Sequence, residues 1–460
     1  MRNAAPALFA IILAGAARAE GELSGTIKLA PARVGLTRLE GVSPALERVL
    51  ARAAEAKATV TVRASWPGDD DPGLPLIMPT PMGVAPSPPP PPPRARFIAA
   101  RGHVVADTRV LGRDGSAREE VRANQPVWVV AARDGADPLV ELELAPGGER
   151  RLLAASLVRV GGDATGELLG ELLAPAFKQT SAARKARTFH PDGSVWAAEV
   201  VSLAPSAPWR EAAARFEGAA IVRMGAGLFK HGQLESLPDL LSLAIRFKAR
   251  PAPGQPLVHA AAPGDQDLFV TAETDRFSDF FNPLVPLAFA EEHEYFANTY
   301  HPAQKFLLEG TGQRVWVRLV PVSLRELGPG DERTPAAREA RLRKAVADGA
   351  ARFRLEVQEE ASALRRWTGL TIGFTKDFWA KPWTPLAELR LVRPLNLDQE
   401  AMRYHPDLAG RGLVPVGVVP SIRPAVYRAS QDGRPASESE RDTPKNGITG
   451  VVEMVEPGRN

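Results

Sequence analysis

Six consecutive prolines, Pro88 to Pro93, constrain this chain more than any other feature. A proline lacks the backbone N–H and holds φ near about −65°, so such a run enters neither a helix interior nor a central strand. It forms a stiff polyproline II rod instead. The rod ends a segment, residues 67–94, that opens on Gly-Asp-Asp-Asp-Pro-Gly. The segment reads as a spacer and not as bait for an SH3-type domain. It parts a short stretch, residues 20–66, from a long remainder that reaches residue 460. That length is enough for two or three folding units.

The first 19 residues read as an export signal. Arg2 is followed by an apolar run over residues 4–17, and Ala17-Arg18-Ala19 is a small-x-small cleavage site. Cleavage after Ala19 and a periplasmic destination are the expectation. The run is shorter than the about 20 residues a spanning helix needs, and no other stretch reads as a span. Cysteine is absent from the sequence. Thiolate ligation of haem, iron–sulfur clusters, cysteine–zinc sites and disulfides are therefore excluded. Lys and Arg number 57 against 54 Asp and Glu, scattered along the chain, for a net charge of +3. Such a balance carries no nucleic-acid signature.

Ser43-Pro44 starts a helix, with Ser as cap and Pro at the first helical position. Alternating residues after it read as a strand. Residues 95–164 hold several short alternating segments parted by Gly- and Asp-rich turns, so a small β-rich module is expected there, similar in pattern to an SH3-like fold. Residues 165–435 read as the largest unit, of α+β class. Its strands include residues 219–224, 242–247, 267–272, 314–322 and 352–358, and its clearest helix runs from Thr334-Pro335 to Gly349. The polar tail, residues 436–460, is expected to be loose.

Four motifs follow one another in that unit. The first is Arg187-Thr-Phe-His190-Pro-Asp-Gly193, and the second contains Arg223 in a segment ending Ile-Arg-Phe. The third is an apolar strand followed by Phe277-Ser-Asp-Phe280, and the fourth is Arg423-Pro-Ala-Val-Tyr427 with Arg434 seven residues on. An ordinary helix with a packed tyrosine and two solvated arginines is the alternative for the fourth. Taken in order, the motifs resemble the haem domain of the catalase superfamily, in its short, divergent branch. The resemblance implies an antiparallel β-barrel with surrounding helices and a haem b cofactor.

It implies Tyr427 as the axial iron ligand, with Arg423 one helical turn before it, and His190 as the distal acid–base group. A phenol ordinarily titrates near about 10, so a guanidinium and ferric iron are needed to favour its anion. Arg223 and Arg434 fall at propionate-binding positions, Arg187 opens the distal motif, and Phe277 matches the ring that stacks on haem. The sequence departs from the family twice. Gly225 stands where a serine backs the distal histidine, and Gly264 where an asparagine polarises peroxide, with Gln266 two residues on. The expected function is peroxidase- or catalase-like action on hydrogen peroxide or an organic hydroperoxide, with an unidentified electron donor. A haem-binding protein without turnover (storage, sensing or delivery) and a cell-envelope protein on a decayed scaffold are the alternatives. Glu291, Glu292, His293 and His301 could in principle gather a metal, but they lack a recognised ligand spacing.

Overall fold

The computed structural model describes residues 17–19, 22–29, 39–55, 60–67, 95–135, 138–185, 190, 192–203, 209–227, 240–249, 257, 259–273, 291–302, 304–309, 311–360, 382–397, 399 and 402–434. The chain divides into two compact units, the first drawn from residues 1–103, 110–118 and 126–162, the second from residues 104–109, 119–125 and 163–460. Among the described residues no helix is long and apolar enough to cross a membrane.

The first unit is mostly sheet. Its strands are β1 (Ala17–Ala19), β2 (Glu22–Leu29), β3 (Leu39–Glu40), β4 (Val60–Pro67), β5 (Ala95–Val104), β6 (Thr108–Leu111), β7 (Ala117–Val121), β8 (Pro126–Arg133), β9 (Leu139–Glu143), β10 (Arg150–Ala154) and β11 (Val158–Val160). Of these residues, Val104, Thr108, Arg109 and the end of β7 (residues 119–121) belong to the second unit. Helix α1 (Pro44–Glu55) starts as its sequence dictates, with the Leu46 N–H donating to Ser43 Oγ at 3.2 Å. Strand β4 pairs antiparallel with β5, so the residues on either side of the Pro-rich spacer share one sheet. That continuous order does not single out an SH3-like module within residues 95–164.

The second unit is an α+β barrel. It comprises α2 (Ala164–Arg184), β12 (Asp192–Ser202), α3 (Trp209–Arg215), β13 (Gly218–Ala226), β14 (Ser242–Phe247), β15 (Gln266–Glu273), β16 (Thr299–His301), β17 (Lys305–Leu308), β18 (Gln313–Pro321), α4 (Pro335–Ala347), β19 (Arg352–Glu359), β20 (Thr384–Pro394), β21 (Leu413–Val416) and α5 (Val418–Gly433). Eight antiparallel strands close on themselves in the order β12, β13, β14, β15, β16, β18, β19, β20. The closing pairs are Tyr300 with Leu319 and the long ladder between β12 and β20. Closure leaves no free edge among these eight strands.

Alternation sorts the residues of each strand between two faces. Trp196, Val222, Met224, Leu243, Ile245, Leu268 and Val270 fill the barrel with Phe353 and Tyr300. Each such fully buried side chain contributes about 1.5–3 kcal/mol. The opposite parity puts Val195, Ile221, Arg223, Ala244 and Phe269 on the outside. Part of that outer face is covered by a strap, residues 395–397, 399 and 402–412, through Leu395, Met402 and Tyr404. The strap is tied to β15 by the Asp267 N–H donating to Leu408 O and the Gly410 N–H donating to Asp265 O, both at 2.8 Å.

Candidate functional site

The motif residues that the structure describes gather on the outer face of the barrel. Cross-strand register runs Val195, Arg223, Ala244, Phe269 through β12 to β15. The next row out runs Gly193, Gly225, Ser242, Thr271, His301. Glycine, serine, alanine and threonine therefore form a low floor between taller residues.

His190 stands at one side of this floor, half-buried, with φ at 50°. That left-handed conformation is costly for a residue with a Cβ and has to be held by its surroundings. Arg223 does the holding. Its side chain is 3% exposed. Nη2 donates to the carbonyls of His190 at 2.6 Å and Asp192 at 3.1 Å, and Nε donates to Gln399 Oε1 at 3.0 Å. Gln399, from the strap, donates its own Nε2 to the Gly193 carbonyl at 2.6 Å. Two side chains thus capture three backbone carbonyls of one turn. Gly193 is required within it, because its φ is 152° and an added Cβ would run into the Met224 carbonyl.

Gly225 has an equally local reason. A Cβ there would stand 2.7 Å from Ser242 Oγ, 2.9 Å from Arg223 Nη1 and 3.1 Å from His190 Cβ. The space that a serine at 225 would occupy is filled by a serine from the neighbouring strand. Arg223→Lys tests the clamp, since one ammonium cannot span a glutamine and two carbonyls as a planar fork does. It is expected to cost about 1–3 kcal/mol and to shift the His190 imidazole signals in NMR spectra. Unchanged His190 signals would remove the clamp.

On the other side of the floor lies α5. It leaves β21 through Gly417, whose φ of 105° turns the chain into the helix. Arg423 and Tyr427, four residues apart, share one face. The Tyr427 ring meets Phe269 edge-on at 5.8 Å, and the Arg423 guanidinium lies over the same Phe269 ring at 5.9 Å. Arg423 Nη1 donates to Gln304 Oε1 at 2.8 Å. Phe269 stands two strands from Arg223, about 10 Å at the usual strand spacing. Arg434 caps the end of α5, with its N–H donating to Gln431 O at 3.2 Å. Arg187, Phe277 and Phe280 lie outside the described residues.

The other tyrosines are engaged elsewhere. Burial holds the phenols of Tyr295 and Tyr300 well above the ordinary range, and Glu339 beside Tyr295 adds to the effect. Both belong to the main hydrophobic core. Tyr404 belongs to the strap, with Arg246 over its ring at 5.1 Å. Tyr427 is the half-buried one, on the outer face.

Gln266 and Gly264 sit at the far end of β15 from this floor. The Gln266 amide donates to Leu413 O at 3.1 Å and to Asp267 O at 3.2 Å, and its oxygen accepts from the Leu413 N–H at 3.2 Å. Five residues separate it from Thr271, about 17 Å along a strand. Of the four acidic and histidine residues weighed as a metal set, Glu291 is used by Arg333 and the His293 N–H, while His301 lies against Trp383 at 6.2 Å.

Three participants were given no role by the sequence motifs: Phe269, which lies within the third, and Gln304 and Gln399. Phe269 was findable, since alternation within residues 267–272 puts it on the face opposite Leu268 and Val270. The two glutamines carry no pattern.

No protein-family model matches the chain, and no curated protein matches it. Among solved structures it is similar to a fungal catalase, at 13% identity and a TM-score of 0.37, over 57% of this chain and 61% of that one. It is also similar to catalase A from Saccharomyces cerevisiae, at 13% identity and a TM-score of 0.35, over 54% of this chain and 61% of that one. The chain thus spans 61% of the length of either catalase, and its barrel is defined by its own closed ladder.

Proposed function

We propose that this chain is a haem-binding protein that acts on peroxide, with Tyr427 as the iron ligand and His190 as the proton carrier. The observation that carries the reading is that Tyr427 and Arg423 pack on Phe269, in the same cross-strand row as Arg223, which grips the His190 turn. The donors suit a tyrosine-ligated haem. A half-buried phenol, a guanidinium one turn before it and an imidazole border a floor of small residues. Haem, when bound, supplies a ferric centre for peroxide chemistry. The chain's part is to hold the Tyr427 oxygen toward that centre and to keep the His190 ring fixed. A neutral His190 imidazole takes a proton from one peroxide oxygen and returns it to the departing one.

A second reading, haem binding without turnover, is favoured by Gln266, whose amide is committed to the backbone and cannot polarise peroxide. Adding haem to the purified full chain tests the first claim, and a Soret band of one haem per chain is expected. A peroxide assay then separates the two readings. His190→Ala is expected to keep the band and to lose at least ~100-fold in turnover. A chain that takes up no haem would overturn both readings, and a loaded chain without turnover would leave the second standing.

A further inference from the structure

Two hairpin turns of the first unit stand side by side. Strand β6 pairs antiparallel with β10 through Leu111 and Leu152. The turn that leaves β6, residues 112–116, therefore lies beside the turn that enters β10, residues 144–149. The first is closed by the Gly112 N–H donating to Ser116 O at 2.8 Å and by Gly115, whose φ is 78°. The second is tied down by the Gly147 N–H donating to Glu143 Oε2 at 2.7 Å. An open cleft of about 470 Å³ is lined from both sides, by Arg113, Asp114, Arg118, Glu149 and Arg150.

Four acids in and beside this cleft each have an arginine of their own. Asp114 pairs with Arg118 at 3.2 Å, Glu149 with Arg151, Glu141 with Arg133 at 2.5 Å and Glu143 with Arg63 at 4.0 Å. Arg113 and Arg150 are left over. Arg113 comes no nearer to Glu141 than 3.5 Å, and Arg150 no nearer to Glu141 or Glu143 than 3.8 Å. These separations exceed hydrogen-bond length, so among the described residues neither guanidinium donates a hydrogen bond. Both guanidinium groups crowd the same Glu141 oxygen, although Arg133 already holds that carboxylate. Like charges brought together across neighbouring strands are destabilising, and an arginine cannot shed its proton to relieve them. Two positive charges in excess therefore face one opening.

We propose that this cleft binds a phosphate group, free or carried by a small molecule, between the forks of Arg113 and Arg150. A phosphate monoester carries about 1.5–2 negative charges near neutral pH, which matches the excess. Guanidinium forks meet phosphate oxygens in pairs. The paired charges around the cleft confine the attraction to one group, unlike the long basic track that a polyanion needs. The volume falls within the about 300–1,000 Å³ of small-molecule sites. The inference is independent of haem and of any turnover. Calorimetric titration of the full chain with inorganic phosphate and with glycerol phosphate, at low ionic strength, is the test. One site per chain is expected. Equal affinity for the two assigns the site to free phosphate, and tighter binding of glycerol phosphate assigns it to an ester. Arg113→Gln and Arg150→Gln should each weaken binding at least about tenfold. Arg150→Lys keeps the charge without the fork and should recover only part of the loss. Arg113 and Arg150 have side chains 62% and 44% exposed, so folding should be retained, as circular dichroism would confirm. Arg48→Gln is the control, since Arg48 is an exposed arginine of α1 paired with Asp134. A chain that binds neither probe overturns the proposal. Binding that survives either glutamine change, that Arg150→Lys restores in full, or that Arg48→Gln weakens equally overturns it as well.

Discussion

Tyr427→Phe is expected to fold and to lose its haem. The change keeps the ring and so keeps the edge-on contact with Phe269 at 5.8 Å. Replacing one aromatic by another of similar volume costs little in packing. What disappears is the oxygen, the one atom the proposed coordination requires. Haem content, read from the Soret band and from pyridine extraction, should fall to background or shift to the spectrum of another ligand. Tyr404→Phe is the control. Its hydroxyl donates to the Ile221 carbonyl at 3.4 Å, and its ring is held among Arg246, His259 and Phe269. That variant should bind haem as the parent chain does. If Tyr427→Phe carries the parent's haem with an unaltered Soret band, the ligand lies elsewhere, and the proposed function loses its main support.

Asp267→Ala is expected to cost about 3–5 kcal/mol of stability. Asp267 and Arg246 form an ion pair with side chains 0% and 1% exposed. The pairing is bidentate, with Arg246 Nε donating to Oδ1 at 2.8 Å and Nη2 donating to Oδ2 at 2.6 Å. Arg246 also donates to the carbonyls of His259 and Arg403, and the His405 N–H donates to Asp267 at 2.6 Å. Truncating the carboxylate leaves a guanidinium buried among carbonyls without its paired carboxylate. Desolvation of such a charge exceeds what neutral acceptors return. The strap should loosen first, because its backbone at residues 403 and 405 is anchored by this pair. Denaturant unfolding measures the loss, and hydrogen exchange at residues 402–412 shows where it begins. A loss under about 1 kcal/mol, the range of exposed pairs, would show that the charges are not buried together.

The same strap links the two results. It carries Arg403 and His405 to the buried pair, and it carries Gln399 to Arg223 beneath His190. One run of chain therefore stabilises the barrel and holds the turn at the candidate site. Asp267→Ala should for that reason disturb the His190 signals, although Asp267 lies in a different cross-strand row.

How much of this could be read from the chain alone depends on the reach of each interaction. Local features were legible. Ser43 and Thr334 cap their helices as their sequence contexts require, with the Ala337 N–H donating to Thr334 Oγ1 at 3.1 Å. Alternation marked the strands that hold Arg223, Ala244 and Phe269, because a half-buried strand has to present one parity of residues to the core. The fourfold spacing of Arg423 and Tyr427 was enough to put them on one helix face. Helix α2 was not legible, with Gly166, Gly170 and Pro175 all unfavourable to a helix. It is decided by α5, whose close approach the two glycines permit. The partners of the arginines were beyond the sequence too. Arg223 suits a carboxylate by its chemistry, yet it grips Gln399, a residue 176 positions away, and the carbonyls of the His190 turn. Gln266 reads as an available amide until Leu413, 147 positions on, takes both its ends. Sequence determined which groups this protein owns and which faces they share, because helix and strand periods are local. Only the closed barrel and its strap decided what those groups touch, because a guanidinium or an amide pairs with whatever the fold brings within hydrogen-bond reach.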